Sequence, residues 1–230
     1  LAALGEHGVL ADIHPPDESL TQDVAGKFDF CRTDVTDENA VRAALGAAKD
    51  LFGPLRGVIN CAGVIHGSLI IGADGPAALA EFRRVLEVNL VGTFNVLRLA
   101  ADAMRHNEPN SVGERGVIIN TGSIAAFEGQ VGQSAYAASK GGVAALTLPA
   151  ARELGRLGIR VVCIAPGAFQ TPMMKRVAEK TRQSLEAQTP FPPRFGEPQE
   201  FAALVCHLLE NPMLNGTIIR LDGGLRLPLR

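Results

Sequence analysis

Short apolar runs of strand character alternate with longer amphipathic stretches along almost the whole chain, and this alternation restricts the possible folds more than any other feature. Leu1 to Gly8 reads as the last turns of a helix, and Val9 to Ile13 and Phe28 to Arg32 as strands. Thr36 or Asp37 can cap a helix reaching Phe52, and Val58 to Asn60 forms the next strand. Leu79, Phe82, Leu86, Leu90, Phe94 and Leu97 recur at helical spacing, which predicts a helix from Ala77 to Met104 that Gly92 interrupts at modest cost. A strand at Gly116 to Thr121, a helix at Ala135 to Leu157 stopped by Gly158, and a strand at Ile159 to Ala165 follow. Past the Pro166-Gly167 turn and a polar segment, a helix at Pro198 to Leu209 and a strand at Gly216 to Leu221 complete the series. Apolar strands separated by helices imply a mostly parallel α/β sheet with helices on both faces, and ligands then bind beyond the C-terminal strand ends.

At 230 residues the chain suits one domain, residues 1–230, with no interdomain linker or repeat. A formal net charge of -2, with Lys and Arg scattered among acids, argues against nucleic acid as a partner. No apolar run reaches the roughly 18 residues that would suggest a membrane span, and the N-terminus lacks signal-peptide character. Cys31, Cys61, Cys163 and Cys206 are far apart and three lie in apolar runs, which predicts reduced, buried thiols. The cytoplasm or another reducing compartment, such as the mitochondrial matrix, follows from that. No two histidines stand at ligand spacing, so no metal is expected.

Chemistry concentrates at successive strand ends. Tyr136, the sole tyrosine, and Lys140 stand four apart on one face of a predicted helix, so the ammonium should favour phenolate and make Tyr136 a general acid and base. Ser123, just past a strand, can hydrogen-bond a substrate carbonyl oxygen that Tyr136 protonates. Asn89 lies within the long helix, where its polar side chain or a disturbed backbone turn could hold a water that passes protons through Lys140. Asp12 ends a strand where a carboxylate can accept from ribose hydroxyls. No Lys or Arg stands beside it in sequence to receive a 2′-phosphate, which favours NAD over NADP. Alternatively, Asp12 caps the following turn.

In order, Asn60-Cys61-Ala62-Gly63, Asn89, Ser123, Tyr136-Ala137-Ala138-Ser139-Lys140 and Pro166-Gly167 resemble the pattern of the short-chain dehydrogenase/reductase family. The segments Arg115 to Thr121, Ala126 to Gln133 and Asn215 to Gly223 are similar to the type II 3-hydroxyacyl-CoA dehydrogenases of that family. The resemblance implies a Rossmann-type sheet, NAD-dependent oxidation of a secondary alcohol such as a short 3-hydroxyacyl-CoA, and catalytic roles for Asn89, Ser123, Tyr136 and Lys140. It places Asp34 and Val35 beside the adenine, and Cys61, Ala62, Gly63, Tyr136, Lys140, Pro166, Gly167, Phe169 and Thr171 along the rest of the cofactor. Ser123, Tyr136 and Gln133 face the substrate. It further implies a homotetramer, supported by apolar stripes on the two long helices. Two other readings stay open: a 3-oxoacyl-thioester or general ketone reductase of the same family, and a non-catalytic interaction protein that retains the fold.

Residues 171–194, polar and closed by prolines, form a candidate lid in which Met173, Met174, Val177 and Leu185 line an acyl pocket. The family's first strand and glycine-rich turn would precede Leu1, and no Gly-x-x-x-Gly-x-Gly run stands in for them. Either a segment of roughly 20 to 35 residues precedes Leu1 in the molecule, or the molecule is a degenerate form.

Overall fold

The computed structural model describes residues 6–17, 26–172, 174 and 179–229. Strands β1 (Gly8–Asp12) and β2 (Phe28–Arg32) pair in parallel. A second parallel sheet has the order β3-β6-β7-β8, from β3 (Gly57–Asn60), β6 (Gly116–Thr121), β7 (Ile159–Pro166) and β8 (Ile218–Leu221). Among the described residues, no strand is hydrogen-bonded to both sheets. Most of the expected turns over Leu1 to Gly8 lie outside the described residues. A small hairpin, β4 (Ile71–Gly72) with β5 (Gly75–Pro76), was not legible in the sequence because two-residue strands carry no periodicity.

Helices cover the larger sheet on both faces, and the alternation of side chains along its strands shows why. Ile118 of β6 and Ile159 and Val161 of β7 pack with α3 (Thr93–Met104) and α4 (Ser134–Gly155) through Leu97, Met104, Ala150 and Leu154. Their neighbours Val117, Ile119, Val162 and Ile164 point the other way, onto Val205 and Leu208 of α6 (Pro198–Glu210). Both strands are therefore apolar on both faces.

Helix ends follow local chemistry. Asp37, rather than Thr36, caps α1 (Glu38–Phe52) by accepting from the backbone N–H groups of Asn39 and Ala40. Thr36 instead donates its hydroxyl to Asp34. Past α4, Gly158 adopts φ of +72°, a left-handed turn that glycine enters without steric cost. Arg160 of β7 anchors the far end of α6: its guanidinium donates to the carbonyls of Leu208, Leu209 and Leu214 and to the Glu114 carboxylate.

The helix expected from Ala77 to Met104 proves to be three consecutive pieces. Helix α2 (Leu79–Leu86) passes into a π-helical stretch, Glu87–Gly92, and then into α3. Gly92 does not interrupt the helix. A Cβ there would stand 2.5 Å from a methyl of Val35, so glycine is required for the β2 loop to pack against the π-helical stretch. π-Helical turns commonly mark functional positions, and this one contains Asn89.

Candidate active site

Strand register lines up the candidate residues. Asn60 pairs with Asn120 across β3 and β6, Thr121 with Ile164 across β6 and β7, and Pro166 with Leu221 across β7 and β8. The residues that follow, Cys61 to Gly63, Ser123 and Gly167, therefore leave the sheet at one edge. Helix α4 begins beside that edge and brings Tyr136 and Lys140 to it.

Ser123 is buried, and its hydroxyl oxygen caps the short 3-10 turn Ile124–Ala126 by accepting from the Ala125 N–H at 3.1 Å. The turn-residue role and the catalytic role are thus compatible, because the hydroxyl proton is not used in that cap. Lys140 is buried, donates to the Thr121 carbonyl at 2.7 Å, and holds its Nζ 5.9 Å from the centre of the Tyr136 ring. Thr121, a contact not foreseen from spacing, fixes the ammonium at the end of β6.

The electrostatics correct one expectation. Burial pushes the Tyr136 phenol above its ordinary value of 10.0, and the Ser123 hydroxyl pulls the other way. Lys140, whose ammonium donates to the Thr121 carbonyl, is not what offsets this burial. Burial also lowers Lys140 to about 8, with the two nearby thiols, Cys163 and Cys61, opposing. At neutral pH, Tyr136 is therefore a protonated donor beside a mostly protonated lysine that loses its charge as pH rises through about 8. The chain has one tyrosine and no tryptophan, so ultraviolet titration reads Tyr136 alone. The midpoint of phenolate formation in the folded protein is expected above pH 10.0; a midpoint below that value would contradict this description. The unfolded phenol gives up its proton first, so this group favours folding less as pH rises beyond its unfolded value.

Asn89 is fully buried, and its side chain is spent on protein partners. Its amide oxygen accepts from the Val64 N–H at 2.7 Å, and its Nδ2 donates to the Val64 carbonyl at 2.9 Å and the Ser139 hydroxyl at 3.0 Å. Of the two options read from the sequence, a water-holding side chain does not fit this bonding. The side chain ties Cys61 to Val64 onto α4, and the Asn89 carbonyl accepts from the Thr93 hydroxyl at 2.8 Å.

The cofactor candidates lie along the same strand ends. Asp12, at the end of β1, is exposed and accepts from the His14 N–H at 3.0 Å, so it caps the turn with one carboxylate oxygen. Its partner in register is the exposed Arg32, a cation that reading along the chain did not place there. Asp34 accepts from the Thr36 N–H and hydroxyl, which hold its carboxyl below the ordinary range. The Val35 carbonyl accepts from Asn95. Phe169 stacks edge-on against Phe201 and also lies against Gly196, and the Thr171 hydroxyl accepts from the Met174 N–H.

Two glycines that the resemblance places along the cofactor are also crowded by the protein itself. A Cβ on Gly167 would lie 2.9 Å from the Asp222 backbone, and one on Gly63 would lie 3.3 Å from the Asn89 amide oxygen and 3.6 Å from Lys140 Nζ. Cys61 and Ala62 are exposed beside them. The burial expected of the cysteines holds for Cys163; Cys31 and Cys206 are half-buried, and Cys61 lies where the chain has left the sheet. Although its surface is open, protein crowds Cys61, and poor hydration pushes its thiol up against the opposing Thr121 hydroxyl and Lys140. An acidic end at Asp12 and a floor of small residues at Cys61 to Gly63 beside Lys140 fit an extended dinucleotide laid across the strand ends. Among the described residues no cluster of His, Cys, Asp or Glu could hold a metal, and no helix is long and apolar enough to cross a membrane.

Gln133 is the residue before α4 and donates its amide to Gln130 at 3.1 Å, one turn before Tyr136. Met173 and Val177 of the expected lid lie outside the described residues. Residues 175, 176 and 178 lie outside them as well, and residues 179–194 form α5 (Glu179–Ala187), whose Leu185 is buried, and a connection to α6. Phe169, Thr189, Pro192 and Gly196 line a cavity of about 250 Å³ beneath that connection.

A family model described as enoyl-(acyl carrier protein) reductase matches residues 1–226. The 3-hydroxyacyl-CoA dehydrogenase type-2 of Rattus norvegicus is 48% identical over 230 residues, covering 99% of this chain and 88% of that protein. The crystal structure of 3-hydroxyacyl-CoA dehydrogenase type-2 from Mycobacterium avium superposes with a TM-score of 0.90 at 42% identity, covering 96% of this chain and 87% of that one. A 7α-hydroxysteroid dehydrogenase complexed with NADH and a 7-oxo bile acid superposes with a TM-score of 0.86 at 28% identity, covering 100% of this chain and 88% of that one. With the order of motifs and the Ser123, Tyr136 and Lys140 arrangement, these matches establish that the chain belongs to the short-chain dehydrogenase/reductase family, among its type II 3-hydroxyacyl-CoA dehydrogenases.

Proposed function

We propose that this protein oxidises the secondary alcohol of a short 3-hydroxyacyl-CoA to the 3-oxoacyl-CoA, reversibly, with NAD. The observation that carries this reading is the meeting of buried Ser123 and Lys140 with half-buried Tyr136 at one strand-end edge, in a chain 48% identical to relatives bearing that activity in their names. A nicotinamide dinucleotide held between Asp12 and the Cys61 to Gly63 floor beside Lys140 would supply the acceptor or donor of the hydride. Ser123 orients the substrate oxygen, Tyr136 takes or gives its proton, and Lys140 supplies positive charge beside the phenol. In the reducing direction Tyr136 is already protonated; in the oxidising direction it must first release its proton, which the Ser123 hydroxyl favours.

NAD is favoured over NADP because the Asp12 carboxylate at the end of β1 suits ribose hydroxyls and repels a 2′-phosphate, despite Arg32 across the pair. Rates with both cofactors and with acyl chains of increasing length test the reading. Preference for NAD and for short 3-hydroxyacyl-CoA thioesters supports it, and equal use of NADP, or no turnover of any 3-hydroxyacyl thioester, opposes it.

A homotetramer is part of the proposal. Leu79, Phe82, Val91 and Phe94 on the α2 to α3 run are 59%, 36%, 44% and 48% exposed, and Leu148 of α4 is 44% exposed. Partner subunits would cover such faces. Light scattering at micromolar concentration is expected to read four chains; a monomer would oppose this part.

Residues 171–194 serve as the substrate lid, and Pro192 and Arg194 of that segment line the cavity beside Phe169 together with Glu200 and Asp222. Hydrogen exchange in this segment is expected to slow when NAD and acyl-CoA are both bound. Equal protection with and without ligands would make it fixed scaffold.

A further inference from the structure

The loop Phe127 to Gln133 joins the Ser123 turn to the helix that carries Tyr136, so its path sets the separation of the two side chains that meet the substrate oxygen. Burial does little to hold it, since Phe127 is 49% exposed and Val131 is 45% exposed. Charge and the C-terminal segment hold it instead. Arg220 of β8 grips both oxygens of Glu128, at 2.7 and 2.8 Å, and lays its guanidinium 5.2 Å from the centre of the Phe127 ring. The same guanidinium is braced by Asp222 at 2.7 Å and by the Leu225 carbonyl at 3.2 Å, and Arg226 donates to Asp222 at 3.1 Å. Farther along, the Val131 N–H donates to the Leu229 carbonyl at 3.2 Å and the Gln130 amide to the Pro228 carbonyl at 3.4 Å. Gln130 then accepts from Gln133.

We infer that the Arg220–Glu128 pair, together with the Pro228 and Leu229 carbonyls, is a positioning device that sets the loop Phe127 to Gln133, and through it the substrate side of the active site. The fork matters as much as the charge. Two parallel hydrogen bonds fix the angle of the carboxylate, which a single ammonium contact does not. Arg220 sits on the strand paired with β7, whose end carries Pro166 and Gly167, so the fork refers the position of the loop to the sheet edge itself. The ring contact and the tail carbonyls then constrain the two exposed residues, Phe127 and Val131. None of these groups touches the reacting atoms, and their effect passes through Gln133 and Tyr136.

The inference rests on the proposed 3-hydroxyacyl-CoA reaction for its kinetic readout, and on amide exchange for one that needs no substrate. Glu128→Gln removes the charge while keeping the shape, Arg220→Lys keeps the charge while losing the fork, and Gln130→Ala removes the contacts to the Pro228 carbonyl and to Gln133 while leaving the Val131 to Leu229 link. In all three, amide exchange at Val131 and Gln133 should quicken. KM for the acyl substrate should rise roughly tenfold in the first two, with kcat and KM for NAD within twofold. Unchanged exchange and unchanged acyl KM in folded variants would overturn the inference, as would equal rises in both KM values, which would indicate general damage. If Arg220→Lys does not fold, the other two variants decide by the same readouts. If the unaltered protein turns over no 3-hydroxyacyl-CoA, the functional reading fails, while the exchange arm still judges the device.

Discussion

Tyr136→Phe is expected to reduce turnover by roughly 100-fold to 10,000-fold, the span that a positioned acid-base group contributes, and to leave NAD affinity within a few fold. The substitution deletes one oxygen and keeps the ring that lies 5.9 Å from Lys140 Nζ, so the surroundings of the ammonium persist. Ser123 remains bound to the Ala125 N–H and can still orient a substrate oxygen, but nothing beside it then gives or takes the proton. Lys140 is not a ready substitute, because it is directed at the Thr121 carbonyl. Steady-state kinetics with a cofactor titration check both halves. Turnover above about one tenth of the unaltered protein would remove Tyr136 from the acid-base role, since no positioned acid-base group contributes so little.

Arg160→Met is expected to be the most damaging substitution far from the chemistry. The Arg160 side chain is 7% exposed and that of Glu114 is 17% exposed, so solvent screens the pair little. Replacing the arginine strands the carboxylate and removes the donors serving the carbonyls of Leu208, Leu209 and Leu214, two of which lie in the last turn of α6. Breaking a buried pair from one side costs about 3 to 5 kcal/mol, which for a chain of this size lowers Tm by roughly 6 to 20 °C. The double variant Arg160→Met with Glu114→Gln should recover part of the loss, because no unpaired charge remains. A Tm within about two degrees of the unaltered protein for Arg160→Met alone would contradict this.

The gathering of candidate residues at one strand-end edge was readable because each has a sharp local signature: a lone tyrosine four residues before a lysine, a serine just past an apolar strand, and a Pro-Gly turn after another. Strand limits were equally plain where apolar runs end at glycine or at a charge, as in Gly116–Thr121. What escaped the sequence depends on distance across the fold. The guanidinium of Arg160 reaches α6, Arg32 comes opposite Asp12 only through strand register, and Glu128 meets Arg220 across 92 positions. Residue spacing carries no such information.

Asn89 shows a second limit. A polar residue inside a helical pattern signals something unusual, but not whether its side chain or its backbone is the useful part. The bonds to Val64 and Ser139 settle that for the side chain. The raised phenol of Tyr136 is a third case. Spacing put a cation nearby, whereas the burial that outweighs it is a property of the packed site.

The central claim is that Ser123, Tyr136 and Lys140 serve hydride transfer between carbon 3 of a 3-hydroxyacyl-CoA and NAD. Its most direct test is a reaction with substrate carrying deuterium on that carbon, followed by mass analysis of the nicotinamide product. The account predicts deuterated NADH formed in equal amount with the 3-oxoacyl-CoA by the unaltered protein, and almost none by Tyr136→Phe. Unlabelled NADH, or product formed as readily without Tyr136, would contradict it.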